Sequence, residues 1–497
     1  MTARTTGNLA DLVRDAAAAT PDKAALLFGD QTVTWAGLDA LVSSAARGLL
    51  ALGLEAGDRV AVHLGNTPDF PVAYFGALRA GLVAVPVNTG YTASELTHVL
   101  ADSGARVIVT AAATAATVES VTDGPEHVVV AGTPSYEALL ADGTAIGSAG
   151  GGEDLAVVLY TSGTSGRPRG AMLSHRALLA NLEQTARIDP PVVDEDDVLL
   201  LVLPLFHVFG LNAALGSVAW HGATGVLAER FDPVETLDLL RRHAVTNVAG
   251  APPMYVAWSM LPDVGDAFAS VRLALSGAAP LPPNVLHRVL DVTGHHVFEG
   301  YGLTETAPVL TTTLMSEVAK PGSIGRPIPG VELRLLDERG SPVEEGDPGE
   351  VVVRGANLFS GYWPDGVEGP DADGWFATGD VAVLDDDGDL CLVDRRRELV
   401  LVSGFNVYPR EVEDVLSGLE GVAEVAVIGI PHPYTGESVK ALVVVEEGVR
   451  LTADDVISHC ARSLARFKCP TAVEFVAELP HSATGKVSKG RLRELSA

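Results

Sequence analysis

The sequence predicts an α/β protein: a large N-terminal domain of parallel β-α-β sheets, a β-rich subdomain over about 322–394, and a small α+β C-terminal domain. Three observations predict it. Short apolar strands alternate with helical patterns through the first half, which implies parallel strands with helices on both sheet faces. From Gly325 to Arg354 the strands are short and alternating, with Gly, Pro and Asp between them, the texture of an antiparallel or barrel-like piece. After Asp394 the pattern changes again, and the last ~100 residues suffice for a small domain with its own core. A chain of 497 residues fits two to four such units.

Each element follows in order. Leu9 to Ala19 reads as an amphipathic helix. Lys23–Phe28 and Gln31–Trp35 flank a Gly29-Asp30 turn, a hairpin signal. Trp35–Leu52 is helical, Arg59–Leu64 a strand, Asp69–Ala80 a helix and Leu82–Val87 a strand. Arg106–Thr110 and His127–Val130 continue the alternation, and the Gly-rich stretch Thr144–Gly152 is a linker or surface loop. Asp154–Tyr160 is a buried strand, followed by a small-residue loop and a helix from near Ser174. Val198 to Ala228 holds no Asp, Glu, Lys or Arg for 31 residues. That exceeds the ~20 a membrane helix needs. Pro204, Gly210, Gly216 and Gly222 interrupt it, so it reads as a strand, a turn and a buried helix, not a membrane span. Glu332–Leu336 and Gly349–Arg354 are strands of the β-rich piece. Val422–Ile430, Val439–Val445 and Ala472–Val476 are strands of the last one. Thr452 with Asp455 three residues on starts a helix running to about Ala465.

Composition narrows the function classes. Apolar residues make up 47% and charged residues 20%, an ordinary globular balance. The net charge of −30 argues against nucleic acid as a partner, which demands a basic surface. An acidic protein cannot steer anions globally, so any anion site must be built locally. Only 6 of the 34 basic residues are Lys, which points to coding bias. Cys391, Cys460 and Cys469 form neither a C-x-x-C pair nor a zinc spacing, so the expected setting is a reducing, cytoplasmic one.

Four segments carry chemistry. In Leu159–His175, the run Thr161, Ser162, Gly163, Thr164, Ser165 and Gly166 is all small, and Arg167, Pro168, Arg169 and Gly170 follow. Glycines let backbone N–H groups converge on an anion, hydroxyls add donors and arginine adds charge. This is a phosphate loop without the Walker pattern, and a flexible Ser/Gly linker is its plain alternative. In His295–Pro308, Gly300-Tyr301-Gly302 resembles a dinucleotide fingerprint, but Glu305 stands where the third Gly belongs. Tyr301 can stack on a base, Thr304 offers a hydroxyl, and Glu305 is a hard oxygen ligand for Mg²⁺. A β-turn with a surface Glu is the alternative. Asp380 after Gly379 can accept both hydroxyls of a ribose, and Arg395-Arg396-Arg397 can meet phosphate or ribose; a turn and a solvated face are the alternatives. Lys486 follows a Gly in a polar loop and can reach into a cleft.

In this order and spacing the segments resemble the adenylate-forming superfamily: acyl-CoA synthetases, aryl and 4-coumarate-type CoA ligases, luciferases and peptide-synthetase adenylation domains. The likeness runs from about residue 8 to 493. It implies that 161–170 hold the β- and γ-phosphates of ATP, with Arg169 where the family usually has Lys. Gly277, Ala278 and Ala279 lie beside adenine; Glu299, Gly300, Tyr301, Gly302, Leu303 and Thr304 frame adenine and α-phosphate. Glu305 matches the Mg²⁺ ligand, assisted by Thr161. Asp380 and Arg395 match ribose contacts, and Lys486 the catalytic lysine that bridges acyl carboxylate and α-phosphate. The resemblance sets a large domain over 1–394, a hinge at 395–397 centred on Arg397, and a mobile small domain over 398–497. Ser403, Gly404 and Phe405 match the face that admits pantetheine, and Lys440 and Lys468 are candidates for CoA phosphates. Phe206, His207, Val208, Phe209, Gly210, Asn212, Gly250, Tyr255 and Leu303 line the acyl pocket, with His207 near the carboxylate.

The implied reaction is ATP-dependent formation of acyl-AMP with pyrophosphate release, then of acyl-CoA with AMP release. The pocket is apolar. No Asp lies between Asp197 and Glu229 to hold a substrate ammonium, which disfavours a free amino acid. The leading expectation is a fatty (medium- or long-chain) acid:CoA ligase with Mg²⁺, acting as monomer or homodimer. An aryl-acid ligase, or an acyl-AMP ligase loading a carrier protein, is the alternative. Gly322 to Asp380 shows no obvious insertion of the kind that carrier-loading ligases bear. A non-catalytic nucleotide-binding relative is disfavoured because Glu305, Asp380, Arg395 and Lys486 are all present.

Overall fold

The computed structural model describes residues 6–161, 168–316, 320–395, 398, 400–402, 405–432, 436–464, 466–481 and 487–496. The chain forms two compact units, Met1–Glu332 with Arg354–Phe376, and Leu333–Val353 with Ala377–Ala497. The α/β class expected from the alternation is the class observed.

The first unit holds two largely parallel sheets. One runs His127–Val130, Val107–Thr110, Arg59–His63, Val83–Pro86, Leu155–Thr161, Arg169–Ser174. Its strands pair in parallel up to the last two, which are antiparallel. Val83–Pro86 and Val107–Thr110 are buried at every residue, as strands covered on both faces must be. In the other sheet the order within this unit is Ser323–Pro327, Val309–Thr312, Val297–Gly302, Leu273–Ser276, Asn247–Gly250, Val198–Leu201, Thr224–Leu227, Ala24–Phe28, Gln31–Thr34. Its middle is parallel and its flanks antiparallel. The Gly29-Asp30 hairpin forms as read, with Phe28 opposite Gln31.

Two expectations need correction. The helix read from near Ser174 is present, but the residues just before it are a strand and not loop. Arg169–Ser174 turns back as a strand against Leu155–Thr161, and the helix His175–Ala186 starts only then, with the Ser174 hydroxyl accepting the Ala177 N–H. Apolar residues at Ala171 and Leu173 make this strand half of a buried ladder. The helix after Thr452 is shorter than read, Ala453–Cys460. Its reciprocal Thr452–Asp455 cap is present, but Ser463 and Leu464 N–H both turn onto the Cys460 carbonyl and close it.

The uncharged stretch from Val198 forms a strand, a π-helical run Phe209–Gly216, the helix Ser217–His221 and the strand Thr224–Leu227. No helix among the described residues is long and apolar enough to cross a membrane.

Val331–Leu336, Gly349–Gly355, Trp375–Leu384 and Leu390–Arg395, which lie mostly in the second unit, follow one another across a sheet. A separate sheet is ordered Phe405–Val407, Val400–Val402, Gly436–Val445, Val422–His432, with Ala472–Phe475 parallel to Gly436–Val445. Val400, Val412, Leu416, Val427, Val439, Val456 and Cys460 close a core of their own beneath it. Burial pushes the Cys460 thiol up to about 12, so it is packing material, not a nucleophile.

Candidate active site

Three parallel neighbours of the first unit, Asn247–Gly250, Leu273–Ser276 and Val297–Gly302, end side by side. Crevices beyond the carboxyl ends of parallel strands are where α/β proteins place ligands. The segments after these strands are Ala251-Pro252, Gly277–Leu281 and Leu303–Pro308, the predicted ones.

Along Val297–Gly302 side chains alternate. Val297, Glu299 and Tyr301 take the buried face, while Phe298, Gly300 and Gly302 take the other. Glu299 is 5% exposed, and its Oε2 accepts the Leu281 N–H at 2.9 Å. This carboxylate therefore fixes the Gly277–Leu281 segment, in which Ala278 holds a left-handed φ of 71°. Gly277 admits a ring: a Cβ there would lie 2.8 Å from Phe209 Cε1. Tyr301 shares the face of Glu299 and is nearly covered.

The turn that carries Thr304 and Glu305 is closed on itself. Leu303 N–H and the Thr306 hydroxyl both donate to the Pro308 carbonyl. A Cβ on Gly302 would stand 1.8 Å from that same oxygen, so only glycine fits. Three buried amides clasp the turn from outside. Asn212 donates to the Ala307 carbonyl at 2.7 Å, and Asn357 to the Thr306 carbonyl at 2.7 Å. Asn181 holds both the N–H and the carbonyl of Val309. Phe359 N–H donates to the Glu305 carbonyl at 2.9 Å.

The Glu305 side chain is half-buried, and its Oε1 accepts the Tyr362 hydroxyl at 2.5 Å. The Arg169 guanidinium lies 3.8 Å above the centre of the Tyr362 ring and donates to Glu368 at 2.9 Å. Arg169 and Glu305, separate in sequence, thus share one tyrosine. The mouth of the phosphate loop is also anchored. Tyr160 donates to Asp102 at 2.5 Å, and His98 Nε2 lies 3.2 Å from the Pro168 carbonyl, both on the helix Ala93–Ser103. Thr161 stands at the strand end opposite Arg169. Ser162, Gly163, Thr164, Ser165 and Gly166 lie outside the described residues.

Of the acyl-pocket residues, Phe206, His207 and Phe209 are half-buried, and Val208 and Gly210 are buried. His207 Nδ1 accepts the Phe209 N–H at 3.3 Å, which places a neutral ring's proton on Nε2. Asn212 is fully buried and spends its amide hydrogens on the Leu178 and Ala307 carbonyls. Tyr255 is also fully covered, its hydroxyl donating to the Leu275 carbonyl at 2.7 Å and its ring edge-on to Trp258. Gly250 abuts the Tyr255 ring.

In the second unit, Asp380 is 6% exposed and stands opposite Arg395 in the antiparallel ladder. Lys440 is paired with Glu474 at 2.7 Å, and Lys468 with both oxygens of Glu411 at 2.7 Å. The side chains of Arg395 and Phe405, and all of Arg397, Ser403, Gly404 and Lys486, lie outside the described residues.

Sequence reading missed Tyr362, Glu368, Asn181, Asn357 and Asp102. No spacing rule links Tyr362 to Glu305, 57 residues away. Among the described residues no three His, Cys, Asp or Glu side chains converge as a metal cage. A lone hard carboxylate fits Mg²⁺, which keeps waters and takes the rest of its shell from substrate phosphates.

The Arg169 guanidinium and the Glu305 carboxylate meet at Tyr362, and Glu305 follows directly on the parallel strand Val297–Gly302. The chain belongs to the AMP-binding enzyme family. That family's model matches residues 13–363, and the model of the AMP-binding enzyme C-terminal domain matches 411–486. The chain is 37% identical over 486 residues to a long-chain-fatty-acid–CoA ligase of Escherichia coli O157:H7, covering 89% of this chain and 86% of that one. It is 38% identical over 477 residues to a feruloyl-CoA synthase of an Amycolatopsis species, covering 95% and 96%. Its fold superposes on the crystal structure of ATP-bound MatB from Rhodopseudomonas palustris with a TM-score of 0.92, at 34% identity and 98% coverage of both chains. The chain is an AMP-forming acid–thiol ligase of the acyl- or aryl-CoA type, and a small carboxylic acid, ATP and CoA fit it as substrates.

Proposed function

We propose that this enzyme activates a fatty acid as acyl-AMP and transfers the acyl group to CoA. The observation that carries the choice of acid is the uncharged run from Val198 to Ala228, with Phe206 half-buried and Phe209 half-buried beside Gly277. Such a run suits an apolar tail and offers no carboxylate to a substrate ammonium. The aryl reading is kept because a feruloyl-CoA synthase is as similar as the fatty-acid ligase.

In the first half-reaction the acid's carboxylate oxygen attacks the α-phosphorus. A new P–O bond forms, the α–β anhydride bond breaks, and pyrophosphate leaves with the electron pair. Arg169 and the loop hydroxyls neutralise charge on the β- and γ-phosphates. Lys486 draws carboxylate and α-phosphate together and stabilises the charge gathered in the transition state. Mg²⁺, when bound at Glu305 with Thr161 assisting, supplies further charge neutralisation on the phosphates. Glu299, through Gly277–Leu281, sets the adenine shelf, and Asp380 with Arg395 holds the ribose. His207 presents an Nε2 proton to the acid's carboxylate. In the second half-reaction the CoA thiolate attacks the acyl carbon and AMP departs. Rotation at 395–397 withdraws Lys486 and brings Ser403, Gly404 and Phe405 to the pantetheine, with Lys440 and Lys468 the candidates for CoA phosphates. The setting is cytoplasmic, as monomer or homodimer.

A pyrophosphate-release screen across short-, medium- and long-chain and aryl acids, followed by AMP release with and without CoA, tests this. Fatty acids should lead, and CoA should be required for the second step. Preference for ferulate-like acids selects the aryl reading, and turnover only with a carrier protein selects the carrier one. Lys486→Ala should slow adenylation by ~10²–10³ and spare thioester formation from supplied acyl-AMP.

A further inference from the structure

Tyr362 has no role in the chemistry above, yet it touches both charged groups assigned to Mg²⁺·ATP. Its position is fixed by backbone. Trp363 N–H donates to the Gly170 carbonyl at 2.8 Å, Met172 N–H to the Gly361 carbonyl at 3.0 Å, and Tyr362 itself bridges Ala171. The segment 360–363 is therefore stitched to the strand that begins at Arg169. That stitching puts the Tyr362 ring under the Arg169 guanidinium, with Phe359 edge-on at 5.2 Å behind it. The hydroxyl meets Glu305 Oε1 at 2.5 Å, and among the described residues Glu305 Oε2 accepts no hydrogen bond.

We propose that Tyr362 is a positioning residue for Mg²⁺·ATP. Its hydroxyl fixes the Glu305 carboxylate and leaves Oε2 as the oxygen for the metal, while its ring sets the plane of Arg169 for the triphosphate. A planar guanidinium stacks on an aromatic face in a way an ammonium does not, so arginine at 169 and tyrosine at 362 form one device. Hydrogen-bond partners behind a metal ligand typically carry 10–100-fold in metal affinity. The inference rests on the assignment of Glu305 to Mg²⁺.

Calorimetric titration of ATP into the intact enzyme without acid, with and without Mg²⁺, tests both levels with no turnover. For the parent, Mg²⁺ tightens ATP binding, and Glu305→Gln abolishes most of that gain. Tyr362→Phe keeps the ring and loses the hydroxyl. It should forfeit about tenfold of the Mg²⁺ gain and leave Mg²⁺-free ATP affinity and the melting temperature unchanged. Tyr362→Leu should weaken Mg²⁺-free binding as well, because Arg169 loses its ring. If Glu305→Gln loses the gain and Tyr362→Phe does not, the positioning role is overturned. If Glu305→Gln keeps it, the metal assignment falls and the inference with it. A Tyr362→Phe variant that loses melting temperature and both affinities together has only a structural tyrosine, which also overturns the proposal.

Discussion

Arg169 and Glu305 meet at one tyrosine, yet the structure holds them by opposite means. The Glu305 turn is interior. Asn181, Asn212 and Asn357 saturate the backbone of residues 306–309, and each of these amides is at most 2% exposed. Arg169 is partly open, and its ion pair is to Glu368, whose side chain is 60% exposed. Buried amide bonds are costly to break because the orphaned group is left in a medium without water. An exposed ion pair is worth little and exchanges readily. The difference teaches a division of labour: the turn that carries Glu305 is held still, and the arginine is left able to trade one anion for another.

The largest blow to the rigid side is Gly302→Ala. A methyl 1.8 Å from the Pro308 carbonyl forces the turn open. We expect a stability loss of about 3 kcal/mol or more and loss of adenylation together. A folded, active variant would show that the turn gives way easily, contrary to the comparison.

The same interior contains histidines that must remain neutral. Burial lowers both His63 and His175 from 6.5 to about 4. The unfolded chain therefore binds protons between those values that the folded chain refuses. Stability is full above pH 6.5 and falls as pH drops toward 4, by about 3 kcal/mol per histidine at the end of that window. Denaturant midpoints across pH 4–7 should show this slope, shallower in His175→Gln. An unchanged slope in that variant would remove His175 from the account.

Asn181→Ala comes next. It strands the N–H and carbonyl of Val309 without their partner. We expect a loss of about 2 kcal/mol in denaturant unfolding, with a rise in KM for ATP. A cost below about 0.5 kcal/mol would mean that water enters and the clasp is not dry.

The smallest effect belongs to the exchangeable side. Glu368→Gln removes the carboxylate paired with Arg169, which under the proposed function competes with ATP. KM for ATP should fall two- to threefold, about the value of one exposed pair, with kcat unchanged. A higher KM would recast Glu368 as part of the ATP site.

Much of this was legible in the sequence. Alternation at period two and at helical spacing encodes which residues face the core, so the α/β class, the Gly29-Asp30 hairpin and the Thr452–Asp455 cap could be read locally. The chemistry-bearing segments were legible too, because glycine, hydroxyl and carboxylate residues cluster within a few positions along the chain. Contacts across long sequence separations were not. Tyr362 reaches Glu305 over 57 residues, and Asn212 reaches Ala307 over 95. Asn212 and Tyr255 are pocket residues by resemblance; that their polar atoms meet the Leu178 and Leu275 carbonyls is visible only in the fold. The return of Arg169–Ser174 as a strand was likewise decided by a partner, Leu155–Thr161, with which it forms an antiparallel ladder. Local pattern fixes what a residue prefers to be; only the folded chain decides which distant group satisfies its polar atoms, because that satisfaction depends on burial and not on neighbours in sequence.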